Sequence, residues 1–446
     1  MKELNEKYSE IIRERFNENI KSGNAAVKYM EASTAVYHGK PVACLYMPKI
    51  FSREAFEFLQ KAANEICAIL DKVIIQYLND TEYRKFFKFP PELEALILSE
   101  AGYTRLLPIA RLDIFFNEDD FSFQFCEFNA DGASAMNEDR EINIAISQSD
   151  AFIKMSNAHE LQSFELFDSW VREFSEIYAS YNKKADSPRI AIIDFMENAT
   201  SNEFIEFQKA FQRVGYDTEI CDIRELKYLN GFLQTPGGKK IDTVYRRAVT
   251  CDIMRHKDDV KPFLQAMRDN SVCVVGHFRT QIIHNKMVFK ILRMPETLNF
   301  LTQNEREYIL RHIPETFQLT NEAVQKYNIF KNKNDWIVKP EDQYGSRGVF
   351  AGVDMDESDW VKNVTLAIDN DYLLQRYCTP YKSLNLDFNG NLCPEFKMYN
   401  NITGLYIYNG KLAGIYSRAG LMGTISSLSQ GLTMASLVAG GKYEHT

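Results

Sequence analysis

The sequence predicts a mixed α/β protein built from more than one subdomain. Three features support this: long stretches with helical periodicity, two alternating strands near residue 120, and the continuous apolar run RIAIIDF. Alternating polarity is typical of strands with one buried face, and continuous apolar runs are typical of parallel strands buried on both faces. A chain of 446 residues is also too long for one small core.

Residues 1–186 are predicted to be mostly helical around one β-hairpin. The helices expected here are a charged N-terminal helix, one from Arg53 to about Leu78, one from Pro91 to Ala101, and two between Met136 and Asn182. The segment SFELFDSWVREFSEIY shows clear helical periodicity. The helical periodicity ends at KKADSP, residues 183–188, and a continuous apolar run follows. We therefore predict a domain boundary there.

Two further regions follow this boundary. Residues 187–284 are predicted to form a small βαβ-like unit. Its strands are expected at RIAIIDF, residues 218–221, DTVYRRA and SVCVVG, its helix over residues 202–214, and a turn at LQTPGGKK. Residues 285–446 predict helices, the strand WIVKP, a glycine-containing loop, another helix, the strand YLLQRY and a β-rich end.

Composition and charge narrow the class of protein. The chain is 45% hydrophobic and 25% charged, and its net charge of −9 argues against a nucleic-acid-binding surface. Eight scattered cysteines without a CxxC pair suit reduced thiols rather than a zinc site. The N-terminus MKELNEKYSE lacks a signal peptide, and no apolar run is long enough to span a membrane. We therefore expect a cytoplasmic protein with neither a membrane nor a nucleic acid as partner.

The most informative segment is ARLDIFFNEDDFSFQFCEFNADGAS. Residues two apart on a strand share a face, and the polar residues 117–120 favour a hairpin turn. If the turn centres near Asp120, then Asp113 faces Glu127 and Arg111 faces Asn129. Opposed side chains on a hairpin have Cβ atoms roughly 4.5–5.5 Å apart.

Two carboxylates at that distance repel each other unless a cation lies between them. Oxygen ligands from Asp113, Glu127 and Asn129 suit Mg²⁺, which also binds phosphate oxygens. Arg111 beside this site would hold a second anion, such as a carboxylate or a transferring phosphoryl group. The alternative is an exposed hairpin with mixed charges.

The third region has features that suit a nucleotide. Lys339 ends an apolar strand, and the loop that contains Gly345, Ser346 and Gly348 can bring backbone N–H groups against phosphates. Lys286, at a predicted helix start, offers a second cation. The strand YLLQRY, with Gln375 and Tyr377, can supply backbone groups to an adenine edge. The loop is neither a P-loop nor a GxGxxG motif, and each feature alone is more often structural.

Together these residues resemble the ATP-grasp ligases, and in their order the synthetase domain of glutathionylspermidine synthase and its circularly permuted relatives. Arg111-x-Asp113 followed by Glu127-x-Asn129 is similar to that family's catalytic arginine and Mg²⁺ ligands. Lys286 and Lys339 resemble its two nucleotide lysines, and the glycine loop resembles its phosphate-covering hairpin. Arg418, in GIYSR, resembles a late arginine near the end of the chain. The carboxylates precede the lysines, which is the permuted order, and the similar motifs span residues 111–418.

The resemblance implies a fold and an activity. The fold is a permuted ATP-grasp with a helical N-terminal region and a small pre-ATP-grasp-like subdomain. The activity is ATP-dependent ligation of a small-molecule or peptide carboxylate to an amine, through an acyl phosphate. Lys286, Lys339, Gly345, Ser346, Gly348, Gln375 and Tyr377 would then bind ATP, Asp113, Glu127 and Asn129 would hold Mg²⁺, and Arg111 and Arg418 would be catalytic.

Other interpretations stay open at this point. One alternative is a nucleotide-binding relative, regulatory or degenerate, that does not turn over a substrate. Another is a kinase that stops after phosphorylating its substrate. Arg246 and Arg247 are candidates for gripping a carboxylate substrate, and Asp131 is expected to lie behind the metal ligands. Neither the two substrates nor the oligomeric state follows from the sequence.

Overall fold

The structure is a computed structural model that describes residues 1–197, 199–343, 345–425 and 431–440. The N-terminal region is mainly helical, as predicted. Its helices are α1 (Lys2–Glu14), α2 (Phe16–Ala32), α3 (Arg53–Asn79), α4 (Thr81–Arg84), α5 (Pro91–Leu98), α6 (Met136–Ser147), α7 (Asp150–Ser156) and α8 (Asp168–Ala179). Its strands are β1 (Val36–Tyr37), β2 (Lys40–Pro41), β3 (Lys49–Phe51), β4 (Ile109–Phe116), β5 (Phe123–Asn129) and β6 (Leu161–Gln162).

The long helix α3 shows why this region forms. The Ser52 side chain caps it by accepting a hydrogen bond from the Ala55 N–H group. Buried apolar residues such as Leu59, Ile66 and Val73 recur along one face and join the main core. Burial of that face, more than intrinsic propensity, stabilises the helix.

Three predictions for this region need correction. The charged N-terminal segment forms two helices, α1 and α2, and not one. Helix α5 ends at Leu98 instead of Ala101, because Ser99 adopts an extended conformation. The stretch after Met136 contains three helices and the short strand β6 rather than two helices, with Ser149 capping α7 by accepting from the Phe152 N–H group.

The middle region is the predicted βαβ-like unit. Its elements are β7 (Arg189–Asp194), α9 (Ser201–Arg213), β8 (Asp217–Asp222), β9 (Lys227–Leu229), β10 (Phe232–Gln234), β11 (Thr243–Arg246), α10 (Thr250–Arg255), α11 (Lys261–Arg268) and β12 (Cys273–Val275). Strands β12, β11, β7 and β8 form a parallel sheet in that order. The hairpin of β9 and β10 was not predicted from the sequence.

The last region alternates helices with antiparallel strands. Its helices are α12 (Gln281–His284), α13 (Met287–Leu292), α14 (Pro295–Leu298), α15 (Gln303–His312), α16 (Asn321–Lys326) and α17 (Glu357–Ala367). Its strands are β13 (Thr316–Gln318), β14 (Trp336–Pro340), β15 (Phe350–Ala351), β16 (Tyr372–Arg376), β17 (Lys382–Asn385), β18 (Lys397–Tyr408), β19 (Lys411–Gly420), β20 (Leu432–Met434) and β21 (Ser436–Ala439).

Two sheets position the functional residues. The central sheet has the order β20, β19, β18, β4, β5, with β17 paired to the free part of β18, so the hairpin near residue 120 joins strands from the chain's other end. A smaller sheet, β13, β16, β14, β15, packs its own apolar core around Trp336 and Trp360. The predicted domain boundaries at residues 186 and 284 stay a prediction.

Two further observations bear on the environment of the chain. Within the part of the chain that the structure describes, no helix has both the length and the apolar character required to cross a membrane. All eight cysteines are unpaired thiols.

Candidate active site

The register of the hairpin is the predicted one. Arg111 pairs with Asn129 and Asp113 pairs with Glu127 across β4 and β5. A bulge between Asp113 and Ile114 makes Cys126 the extra residue of β5. The bulge was not predicted. It lies next to the end of the hairpin that carries the four polar side chains.

Asp113 lies at the centre of a group that we call the cleft-facing cluster, Arg111, Asp113 and Arg418. Arg111 donates from Nε and Nη2 to the Asp113 carboxylate at 2.7 and 3.1 Å. Arg418, on β19, donates from Nη2 to Asp113 Oδ2 at 2.9 Å. Two guanidinium groups therefore converge on one carboxylate whose side chain is only 2% exposed.

Gly404 on β18 makes room for this cluster. It pairs with Asp113 on one side and Tyr416 on the other. A Cβ atom at residue 404 would lie 2.8 Å from Arg111 Cδ and 2.9 Å from Asp113 Oδ1. The glycine in NITGLYIY is therefore required by the close approach of the cluster.

Glu127 and Lys286 form the second charged contact. Lys286 Nζ lies 2.8 Å from Glu127 Oε1 and also donates to the Gln343 carbonyl at 2.5 Å. Burial alone would raise the pKa of Glu127, but Lys286 and Lys339 lower it to about 2. Glu127 is therefore an anion throughout the physiological pH range.

Lys339 comes from the smaller sheet and reaches the same place. Its Nζ donates to the Cys126 carbonyl at 2.9 Å and to Gln375 Oε1 at 2.8 Å. Gln375 in turn donates from Nε2 to Thr316 Oγ1 at 3.0 Å. The Gln375 side chain therefore positions the lysine, a contact that the sequence did not indicate.

A cleft between the central sheet and the smaller sheet collects most of the predicted site residues. The predicted residues that line it are Arg111, Asp113, Glu127, Asn129, Lys286, Lys339, Gly345, Ser346, Gln375, Tyr377 and Arg418. Cationic, carboxylate and amide side chains from distant parts of the chain therefore face one space between the two sheets.

Two predicted nucleotide contacts are placed differently from the expectation. Gly348 belongs to the loop but does not line the cleft; its φ is +72°, and a Cβ there would lie 2.8 Å from Tyr372 Oη. The Tyr377 N–H group already donates to the Asp335 carbonyl at 2.8 Å, so it is not free for an adenine edge. Tyr344, in the same glycine loop, lies outside the described residues.

Next to the cleft lies a second set of ion pairs, the buried cluster: Arg246, Arg247, Asp131 and Glu203. Arg246 Nη2 is 2.7 Å from Asp131 Oδ1, and Arg247 Nη2 is 2.7 Å from Glu203 Oε1. All four side chains are at most 3% exposed, and neither arginine lines the cleft. Asp131 also lines the cleft, and its Oδ2 accepts from the Thr250 N–H group at 2.6 Å. Its expected place behind the metal ligands stays a prediction.

The structure also places residues in the cleft that the sequence did not single out: Tyr37, Ser134, Glu138, Ile337 and Tyr416. Tyr416 precedes Arg418 by two residues on β19, so the shared face of the strand was a usable signal. Glu138 lies on α6, where the sequence shows no motif. The two tyrosines and Glu138 form the wall of the cleft beyond the cleft-facing cluster.

The cysteines near the nucleotide end of the cleft are poor nucleophiles. Burial raises the pKa of Cys126, and it raises that of Cys378 to about 12. Both thiols are therefore protonated at neutral pH. The geometry offers no thiolate at these two positions for a covalent intermediate.

The donor set fits Mg²⁺ bound together with phosphate. Asp113, Glu127 and Asn129 provide two carboxylates and an amide oxygen, the ligands that Mg²⁺ takes when phosphates and water complete its shell. Among the residues that the structure describes, no group of three His, Cys, Asp or Glu side chains forms a ready-made metal cage. The protein alone is therefore an incomplete metal site.

Comparisons with known proteins agree with this architecture. No known protein-family model matches the chain, and no curated protein has a similar sequence. A glutathione synthetase-like effector of Globodera pallida, solved in its apo form, superposes with a TM-score of 0.62, covering 94% of this chain and 96% of that one. The fold is glutathione synthetase-like. Sequence identity is 13%, so this glutathione synthetase-like architecture is shown while activity is not.

Proposed function

We propose that the protein is an ATP-dependent carboxylate–amine ligase with a circularly permuted ATP-grasp arrangement. The observation that carries this proposal is the convergence, in one cleft, of two arginines, two lysines, two carboxylates and an amide. They come from both sheets and, for Lys286, from the junction of α12 and α13. The metal candidates lie near residue 120 and the lysines follow them, which supports the permuted order.

The two lysines are proposed to bind the phosphates of ATP. Each now contacts protein oxygens: Lys286 those of Glu127 and Gln343, and Lys339 those of Cys126 and Gln375. These contacts hold both ammonium groups in the cleft before any ligand arrives, which lowers the entropy cost of binding. Gly345 and Ser346 lie beside them and would cover the phosphates.

Asp113, Glu127 and Asn129 would hold Mg²⁺. When bound, the ion neutralises phosphate charge and orients the transferred phosphoryl group. In the structure Arg111, Arg418 and Lys286 neutralise the two carboxylates. We propose that these cations turn toward the phosphates and the substrate carboxylate as the metal takes their place, so that no buried charge is left unpaired.

Arg111 and Arg418 are proposed to bind the substrate carboxylate and the acyl phosphate. A planar guanidinium matches a carboxylate or phosphate with two parallel hydrogen bonds. The same donors stabilise the oxyanion that forms when the amine attacks the acyl carbon. Enclosure between the two sheets keeps water from the acyl phosphate.

A cytoplasmic location belongs to the same proposal. Eight unpaired cysteines suit a reducing compartment. An ATP-consuming ligase also requires cellular ATP. Both arguments favour the location expected from the sequence.

The proposal is tested by ADP release from Mg²⁺-ATP with pools of carboxylates, each with and without pools of amines. ADP that requires both pools, with a product mass equal to acid plus amine minus water, is the expected result. ADP released by acids alone, with a stable phosphorylated product, would make the protein a kinase. ATP binding by calorimetry without ADP from any pool would make it a nucleotide-binding protein without turnover.

Two variants sharpen this test. Asp113→Ala should raise the Mg²⁺ concentration needed for half-maximal ADP release, because it removes one of two carboxylates of the metal site. Arg172→Ala, on the exposed face of α8, is the matched control and should behave as wild type. Equal Mg²⁺ dependence in all three proteins would remove Asp113 from the metal site.

A further inference from the structure

Glu138 differs from the other acidic residues of the cleft. Four carboxylates line it in the described part of the chain, and three are paired: Asp113 with two arginines, Glu127 with Lys286 and Asp131 with Arg246. Glu138 forms no ion pair with any described residue, although it lies among buried residues at the start of α6. A carboxylate without a cation in a partly enclosed cleft is costly unless a ligand provides the cation.

Tyr416 fixes this carboxylate beside the reaction centre. The Tyr416 hydroxyl donates to Glu138 Oε2 at 2.6 Å. The Tyr416 hydroxyl oxygen also lies 3.0 Å from Thr433 Oγ1. The Tyr416 ring contacts the guanidinium groups of both Arg111 and Arg418, at 5.5 and 5.7 Å from its centroid. Glu138 is therefore one tyrosine ring away from the two arginines proposed to hold the acyl group.

The charges around Glu138 leave its carboxylate undercompensated. Burial raises its pKa, and nearby Glu203 raises it further, whereas the Tyr416 hydrogen bond, Arg418 and Arg111 act in the opposite direction. The guanidinium of Arg111 is already used, since it donates to Asp113 and to the Ser134 carbonyl. An added positive charge at this wall would be stabilised by the Glu138 anion.

We infer that Glu138 binds the ammonium group of the amine substrate, in a subsite whose other walls are Tyr37 and Tyr416. The aromatic side chains at this wall suit a cation, and the carboxylate accepts from its N–H groups. The chemical class is an aliphatic primary amine, which binds as the ammonium ion at neutral pH. Its nitrogen gives up one proton, which the Glu138 carboxylate can accept, before it attacks the acyl carbon. Naming this ligand as the second substrate rests on the proposed ligase function, whereas the ammonium site itself does not.

The subsite can be tested without knowing the natural substrate. The full-length protein, saturated with Mg²⁺ and an ATP analogue that cannot be hydrolysed, is titrated calorimetrically with 1-aminobutane and with 1-butanol. Wild type should bind the amine at least about tenfold more tightly than the alcohol, because only the amine carries a charge for Glu138. In Glu138→Gln this preference should disappear, and in Glu138→Asp it should persist in part.

The outcomes separate this inference from the ligase proposal. An equal affinity of wild type for the two probes, or a preference that survives in Glu138→Gln, overturns the ammonium subsite even if ADP release requires an amine. A preference lost in Glu138→Gln supports the subsite even if no pool releases ADP. Glu57→Gln, on the exposed face of α3, is the matched control and should keep the preference. If Glu138→Gln does not fold, the amine-to-alcohol preference of wild type and of Glu138→Asp still tests the ammonium subsite.

Discussion

The cleft-facing cluster and the buried cluster use the same chemistry and differ in what surrounds them. Both pair arginines with carboxylates at 2.7–2.9 Å. In the cleft-facing cluster, the arginine side chains are 10 and 14% exposed and border open space. In the buried cluster, they are 1 and 3% exposed and are enclosed by Phe278, Phe204, Phe207 and Tyr245.

This difference decides what each cluster can do. A charge that borders a cleft can exchange its protein partner for a ligand, because the ligand replaces the lost contact. A charge enclosed by aromatic rings has no such replacement. Arg111 and Arg418 are therefore suited to chemistry. Arg246 joins the middle region to the segment that follows β5, and Arg247 joins the end of β11 to α9 within the middle region. The suggestion that Arg246 and Arg247 grip a substrate is not supported by their position.

The largest expected effect is on stability, from Arg247→Met. This change leaves Glu203 as a buried carboxylate without its cation, and should lower the free energy of unfolding by about 3–5 kcal/mol. Urea denaturation followed by tryptophan fluorescence measures the change. The double variant Arg247→Met, Glu203→Leu should regain most of the loss, since neither charge is then left alone. Unchanged stability with a large rise in KM for the acid would instead assign Arg247 to substrate binding.

Arg111→Ala should affect turnover rather than stability, in contrast to Arg247→Met. Asp113 keeps Arg418 as its partner, so we expect little loss of stability. Removing a donor to the developing charge should lower kcat by about 10²–10³-fold, with ATP affinity nearly intact. Steady-state ADP release and ATP calorimetry measure the two quantities. Wild-type turnover in this variant would exclude a catalytic role for Arg111.

Lys286→Met comes next in expected size. Loss of one ammonium group from the phosphate site should weaken ATP binding by about tenfold, a typical value for one charge-assisted contact. Lys290→Met is the control, because Lys290 lies on α13, the helix that Lys286 precedes, and does not line the cleft. Calorimetric titration with ATP and Mg²⁺ gives both constants. Equal affinities would place Lys286 outside the phosphate site and leave it as the partner of Glu127 alone.

The sequence predicted the cleft-facing half of the site better than the buried half. Alternation along β4 and β5 placed Arg111, Asp113, Glu127 and Asn129 on one face, because strand periodicity is a local property that survives without knowledge of the fold. The bulge at Cys126 and the need for Gly404 depend on how three strands meet, and no local pattern records this.

Partners that are distant in sequence could not be predicted from the chain alone. Glu203 and Arg247 are 44 residues apart, and Arg418 reaches Asp113 across 305. Each pairing is set by which strands become neighbours in the two sheets. The same limit applies to Glu138, since α6 carries no motif and its role depends on Tyr416 at the other end of the chain. The coarse order of helices and strands was accessible because periodicity and turn residues encode it locally.

The last expected effect is a difference in pH response between the two clusters. In the buried cluster's surroundings, burial raises the pKa of Asp194 to about 7, although the neighbouring Arg247 and Arg246 lower it. A folded pKa above the unfolded value of 3.8 means that this group favours the folded state at low pH, and that the contribution is lost as pH rises to about 7. Asp194→Asn should therefore raise stability above neutral pH and change it little below about pH 4.

Glu127, with its pKa lowered to about 2, should affect stability in the opposite direction. Its contribution to the free energy of unfolding is present above the unfolded pKa of 4.5 and is lost as pH falls. Denaturation midpoints of wild type, Asp194→Asn and Lys286→Met across this pH range measure both effects, and parallel curves for the three proteins would show that the clusters do not differ in their electrostatics.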